Sequence, residues 1–448
     1  MISDSSTTQA PAPAAREWGR LRVTRRCCGA ATCRNFAPGL LGEVPPSHDL
    51  RDDGEKADVP SVLPGSYEAG AYTGVLRQPK NKEELLMART AAAGCPFGAI
   101  RLERPTAGVS RGELASPWRD WPRRLEDNVW AVGHPSKKNF GALSYFIELP
   151  GGGVLVDPPK PGEELFRWLE QHGGVRWLFL THRDHAHHHA EFVARFPGCR
   201  RVIGAADVNL RETAYEAATG EVEFKLSNEA GPMMLDGTPI AEAALADAEL
   251  VVLPQPGHTA GSLCLLYRGR FLFTGDHLSY SRRLGHIIAH RLQCWEDWDH
   301  QCASVRRLLQ WAQAGQLRFG WVLPGHGEWH CFDNAGDAAA TAAELERGLE
   351  WMQRQPPGHV PLLRYIPFTM IRTKPGTRFA RFIRAVSGDG GDTWLLPRNA
   401  RPYVNNHEPA KAQSALRRVQ ALAVATLTLF TSMIWFGTRG VSALRARH

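Results

Sequence analysis

The first fifteen residues, MISDSSTTQAPAPAA, lack any apolar run, so the chain is expected to carry no secretory leader. A disordered N-terminus over residues 1–16 is the expectation there, with a short organelle-targeting stretch as the alternative. An even cysteine count is missing too. The nine cysteines fall at positions 27, 28, 33, 95, 199, 264, 294, 302 and 331, which argues against an extracellular disulfide framework and for a reducing compartment, cytoplasm or plastid. Acidic residues are scarce towards the C-terminus. From Pro361 to His448 there are 14 Lys and Arg against 3 Asp and Glu, a balance of +11 that leaves −4 of the chain's net +7 for the rest. The basic character therefore belongs to a tail. A nucleic-acid-binding core is excluded as the expectation, and an anionic partner or membrane surface is preferred.

What is present fits a globular protein. The chain has 448 residues, 43% hydrophobic and 22% charged, enough for two or three domains with their own cores. Leu178 to Phe192 reads LFLTHRDHAHHHAEF, an apolar strand-like run followed by His182, Asp184, His185, His187, His188 and His189. Imidazoles crowded in this way add nothing to a core and point to metal binding if further ligands exist elsewhere. Candidates follow other strand-like runs: His258 in LPQPGHTAGS, Asp276 in TGDH and His326 in LPGHGE. Ligands at strand ends are rigidly held, as a metal site requires. Predicted strands are NVWAVG, LSYFIEL, GGVLVDPP, RWLFLTH, LVVLP, SLCLLY, RFLFTGD and GWVLPGHG, with helices at PGEELFRWLEQHG, HHHAEFVARF and EDWDHQCASVRRLLQWAQ. This alternation predicts an α/β architecture with helices outside two packed sheets.

Nearer the N-terminus, Cys27 and Cys33 flank a glycine-bearing loop, and Cys95 stands before Pro96 after an alanine-rich helical stretch. Thiolates on a tight loop can wrap one face of an iron–sulfur cluster, and a distant cysteine followed by proline can close the other. The pattern, with FAP at Phe36–Pro38 and CPFGAI at Cys95–Ile100, resembles single-cluster bacterial-type ferredoxins. The middle cysteine of their loop is replaced here by Ala30. The resemblance then implies a 3Fe–4S cluster, or a 4Fe–4S cluster with a non-cysteine fourth ligand. The alternative is a relic module whose thiols hold nothing.

The four stations THRDHAHHH, PGHTAGS, TGDH and PGHGE come in the order of the metallo-β-lactamase superfamily, which the central segment resembles. The domain order is similar to that of ferredoxin–metallo-β-lactamase fusion proteins of plants, algae and some bacteria. The resemblance implies an αββα sandwich preceded by a small α+β ferredoxin-like domain. In the register of the fusion proteins, His182, Asp184 and His258 hold one metal, and His189, His326 and His188 hold the other. By the same resemblance Asp276 would bridge, and His185 and His187 would be spare or would support the ligands from outside. Asp276 and His188 are the residues expected to carry catalysis, and the cofactors are one or two divalent ions, zinc or iron, with one iron–sulfur cluster. Asp157 is read as a strand-end hydrogen-bonding residue. His277, His286 and His290 are read as surface histidines, and Cys294, Cys302 and Cys331 as ordinary thiols.

The expected domains are 17–105, iron–sulfur; 120–335, the sandwich; 336–415, a helix and basic linker; and 416–440, a membrane anchor. Val419 to Thr438 is free of charge and as a helix would extend about 30 Å; an amphipathic or partner-binding helix is the alternative. The expected function is hydrolysis of a small-molecule ester or thioester by a metal-bound hydroxide. The runner-up is an oxidoreductase in which a non-haem iron site receives electrons from the cluster or from an electron-transfer partner. A third reading is a membrane-attached electron-transfer or binding module with a decayed metal site.

Overall fold

Apolar residues that alternate along short runs, closed by Gly or Pro, form the strands of two facing sheets. A computed structural model describes residues 18–24, 27, 29–44, 73–96, 98–103, 116–212, 216–291, 294–333 and 336–355. The basic stretch after residue 355 and the Val419–Thr438 run expected as an anchor lie outside the described residues. Among those described, no helix is long and apolar enough to cross a membrane.

The N-terminal elements are β1 (Leu21–Val23), α1 (Thr32–Phe36), β2 (Leu41–Glu43), β3 (Thr73–Val75), α2 (Lys82–Gly94) and β4 (Ile100–Leu102). β1 pairs antiparallel with β4, and β2 with β3. Asn81 caps α2 by accepting from Glu84 N at 2.9 Å, one of the four donors that a helix start leaves unpaired. Helix α1 carries Cys33, and Cys95 follows α2 directly.

The first sheet of the sandwich comprises β5 (Arg123–Glu126), β6 (Val129–Ala131), β7 (Tyr145–Ile147), β8 (Gly153–Val156), β9 (Val175–Phe179), β10 (Arg200–Gly204) and β11 (Phe224–Leu226), in spatial order 11-10-9-8-7-6-5. Helices α3 (Glu163–Gln171) and α4 (His189–Arg195) connect its parallel strands. The second sheet is built from β12 (Leu250–Pro254), β13 (Leu263–Tyr267) and β14 (Phe271–Gly275). After a hairpin of β15 (Ser279–Ser281) and β16 (His286–Ile288) and helix α5 (Trp298–Gln313), β17 (Trp321–Pro324) and β18 (His330–Cys331) complete it, in order 12-13-14-17-18. Helix α6 (Ala338–Gln353) closes the described chain.

The strand period of two sorts side chains between layers. Val154, Val156, Leu263, Leu265, Phe271 and Phe273 meet in one core between the sheets. Their neighbours Leu155, Leu266 and Leu272 face outward under helices: Leu155 with Leu165 and Phe192, Leu266 and Leu272 with Trp298 and Leu308. The result is a helix–sheet–sheet–helix sandwich. Leu345, Leu349 and Met352 of α6 join the second outer core, and Met352 O accepts from Trp298 Nε1 at 3.2 Å. That helix is part of the outer layer. Leu21, Phe36 and Leu40 are continuous with the inter-sheet core, with Phe36 against Trp121 at 4.8 Å between ring centroids and Trp121 against Trp329 at 6.3 Å.

Candidate metal centre

β8 and β9 run parallel, as do β14 and β17, so each pair delivers its C-terminal loops to one edge of its sheet. There the chain brings together five side chains. Asp276 follows β14 directly, His326 comes two residues after β17, His258 lies in the turn after β12, and His182 and His185 lie just past β9. His182, His258 and Asp276 form one group able to hold a metal ion, and His185, Asp276 and His326 another. Asp276 Oδ2 is the common point: 3.7 Å from Nε2 of His182 and of His258, 3.6 Å from His185 Nε2 and 2.8 Å from His326 Nδ1. The Nε2 atoms of His182 and His258 are themselves 3.2 Å apart. Asp184 Oδ2 stands 3.9 Å from His182 Nε2 and 4.0 Å from His258 Nε2, within reach of the first group.

Buried partners set the ring orientations. Asp157, at the end of β8, accepts Thr181 N and Thr181 Oγ1, each at 2.8 Å, and His185 Nδ1 at 2.8 Å. The Thr181 hydroxyl gives its proton to Asp157, so its oxygen accepts the Nδ1–H of His182 at 3.0 Å. Both imidazoles therefore turn Nε2 to the centre. His326 donates Nε2–H to Phe140 O at 3.2 Å and turns Nδ1 inward. Carboxylate or carbonyl partners of this kind fix the tautomer of a metal-binding histidine. Gly325 is required by the close approach of the strands, because a Cβ there would overlap His185.

Sequence reading assigned the second ion to His188, His189 and His326. The structure brings only His326 of these to the cluster, and His185 occupies the place given to His189. The reason is local backbone geometry. A single 3₁₀ turn over Arg183–His185 puts His182 and His185 on one side, since residues three apart eclipse in such a turn. His188 then takes φ +73° and redirects the chain. Its Nε2 bonds Ser136 Oγ at 2.8 Å and its Nδ1 bonds Glu191 Oε1 at 3.0 Å. His189 accepts Arg201 Nη1 at Nδ1 (3.0 Å) and donates from Nε2 to Ala218 O (2.8 Å). Three-residue spacing was the available signal for His185. His277, read as a surface residue, is instead fully buried, and His290 is half-buried with its Nε2 at 3.2 Å from Ser279 Oγ. His286 is half-buried and bonds Ile287 O, and Cys294 and Cys302 lie in the outer core.

Burial and the charges within the cluster set its electrostatics. Burial would raise Asp276, but His326 and His185 beside it hold it well below the usual carboxylate range. Burial opposes a charged His185, yet Asp276 and Asp157 outweigh that and raise it to about 9. Burial depresses His182 far below 6.5, with His185 and His258 adding to the effect, and brings His258 and His290 to about 4 and His277 to about 3. Burial also raises Asp184 to about 6 and Glu216 to about 7.

For the metal-free chain these shifts predict a stability maximum near neutral pH. As pH falls from 6.5 towards 4, the unfolded chain takes protons that these depressed histidines and half-buried His134, also held near 4, refuse, which the raised carboxyls offset only in part. As pH rises from 6.5 through 9, the stability conferred by charged His185 is lost. Urea midpoints measured from pH 4 to 10 should trace this dome, and a profile that rises steadily to pH 10 would contradict it.

No family model matches the chain. Over 147 residues it is 30% identical to a hydroxyacylglutathione hydrolase from Anaeromyxobacter dehalogenans (strain 2CP-C), a match covering 32% of this chain and 50% of that protein. The chain thus spans about half the length of this curated relative. Among solved structures it is similar to the DIM-1 metallo-β-lactamase, at 18% identity over 50% of this chain and 95% of that one, with a TM-score of 0.35. An archaeal metallo-β-lactamase superfamily protein from Sulfolobus tokodaii matches at 15% identity over 55% of this chain and 88% of that one, TM-score 0.31.

Proposed function

We propose that the chain is a metal-dependent hydrolase of the metallo-β-lactamase superfamily, acting on a small-molecule thioester or ester. The observation that carries this reading is the position of Asp276 Oδ2 amid four imidazole nitrogens. The donor set fits two divalent ions. His182, His258 and Asp276, with Asp184 beside them, would hold one, and His185, His326 and Asp276 the other. Imidazole with carboxylate suits zinc and iron alike. Such a pair supplies Lewis acidity and an activated water. The chain's own part is to offset the repulsion of two cations with the Asp276 carboxylate and to hold each ring by Asp157, Thr181 or Phe140 O.

A thioester is favoured over other acyl groups by the likeness to hydroxyacylglutathione hydrolase. The test is release of thiol from a hydroxyacylglutathione by the purified, zinc- or iron-loaded chain. Hydrolysis should stop on chelation and return when metal is restored. Absence of thiol release from metal-loaded protein, or indifference to chelation, would sink this reading.

A second reading, an iron–sulfur segment that supplies electrons to the centre, draws support from the cysteines. Cys27, Cys33 and Cys95 pack against one core, and burial, then the neighbouring Cys27 thiol, pushes Cys33 up to about 12. A thiol so placed ionises only beside positive charge, as cluster iron would provide. The pairing of β1 with β4 and β2 with β3 around two helices also suits a ferredoxin-like segment. Central, non-cluster iron whose spectrum changes when the cluster is reduced would favour this reading. Zinc there with an inert cluster would favour hydrolysis.

A further inference from the structure

The ligands of the centre are not all held in the same way. His182 and His185 hang from Asp157 and Thr181, within the sandwich. His326 is gripped from both flanks by the cysteine-bearing segment. On one flank stands Asn35, two residues beyond Cys33 on α1 and 1% exposed. Its Nδ2 donates to Gly327 O at 2.8 Å, and its Oδ1 accepts Trp329 N at 3.2 Å. Gly327 N donates to Ala30 O at 2.8 Å, and Arg34 Nη1 lies 3.5 Å from Glu328 Oε2. Every residue from Gly327 to Trp329 is therefore bonded to the loop and helix around Cys33. On the other flank, Pro96 follows Cys95 and presses on Gly141. A Cβ at Gly141, whose φ is +82°, would lie 2.6 Å from Pro96 Cγ. Gly141 adjoins Phe140, whose carbonyl takes the Nε2–H of His326.

We infer that Asn35 is a positioning residue for the metal centre, and that the cysteine-bearing segment sets the affinity of its His185–Asp276–His326 half. This rests on the metal-dependent reading above. The chemistry is geometric. A ligand must stay within about 0.5 Å of its productive position. The backbone that carries His326 is fixed by bonds from Asn35 and Ala30, not by its own sheet alone. Among the described residues, the His182 and His258 side chains make polar contacts with Thr181, Asp184, Asp276 and each other, and none of these partners lies in that segment.

The test is a two-step titration of the metal-free full-length chain with cobalt(II), read by visible absorption and checked by elemental analysis. Asn35→Ala should leave the first binding step unchanged and weaken the second by about tenfold to a hundredfold, the range for lost supports of metal ligands. Pro96→Ala, a milder change on the opposite flank, should weaken the same step to a smaller degree and serves if Asn35→Ala does not fold. A residue that mattered only to stability would lower the melting temperature and leave the ratio of the two affinities alone. An unchanged ratio in both variants, or equal weakening of both steps, overturns the inference. If the unaltered chain takes up no cobalt, the metal-dependent reading itself fails, a result distinct from an unchanged ratio.

Discussion

Replacing Asp276 with alanine is expected to abolish tight binding of both ions together, not of one. Its Oδ2 is shared by the two ligand groups, so each loses its common ligand. His185 and His326 are left with no anion between them, and His182 and His258 keep Asp184 alone, at 3.9 and 4.0 Å. The carboxylate also ties down the last ligand, since Oδ1 accepts His326 N at 3.1 Å; without it that loop loses an anchor. Removal of a bridging anion and of both cations should lower thioester hydrolysis by at least about a thousandfold, as loss of several kcal/mol of transition-state stabilisation implies. Metal per chain, measured by elemental analysis, and the rate should fall in step. Absorbance of any iron–sulfur cluster should persist, because Cys27, Cys33 and Cys95 receive nothing from Asp276. One ion still held as tightly as in the unaltered chain would show that the two halves do not share this carboxylate.

The second large effect is a contrast between two histidines four residues apart. His185→Ala should remove the second ion, leave the first, and reduce activity by more than the roughly tenfold to hundredfold that loss of a ligand's supporting partner costs. It also strips one partner from buried Asp157, at a cost of about 1–3 kcal/mol in stability. His189→Ala should leave metal content and rate near those of the unaltered chain. It should cost stability alone, about 1–2 kcal/mol for the bonds to Arg201 and Ala218 O. Cobalt stoichiometry with paired urea unfolding separates the two. If His189→Ala lost the ion and His185→Ala kept it, the ligand set derived from the geometry would be reversed.

Much of the centre was legible in the sequence, for physical reasons. Strand-end stations carry their own punctuation: Gly and Pro next to His258, Asp276 and His326 mark where a buried run gives way to a loop. All three side chains meet in space. The sandwich was readable because Val154, Leu265 and Phe273 alternate with residues of an outer face. What could not be read was the path of the chain within HRDHAHHH. Ligand choice there depends on one 3₁₀ turn and one left-handed residue, His188, and neither leaves a compositional trace. The strand β10 was missed because Arg200 and Arg201 open it, although Arg201 is buried through its bonds to Glu223 and His189. The burial of His277 depends on packing by distant elements, which no local pattern encodes.

The bond from Asn35 to Gly327 joins residues 292 positions apart. During synthesis the segment around Cys33 leaves the ribosome first, and the strand that delivers His326 comes close to the end of the described chain. Contacts of such long range must meet their loop-closure cost before they form, and so form late. The first half of the centre also awaits His258 and Asp276, but the second waits longer, for β17 to dock against elements made some 300 residues earlier. Assembly order is thus written into the connectivity. A chain truncated before β17 would retain His182, His258 and Asp276 and would lack the last ligand of the pair.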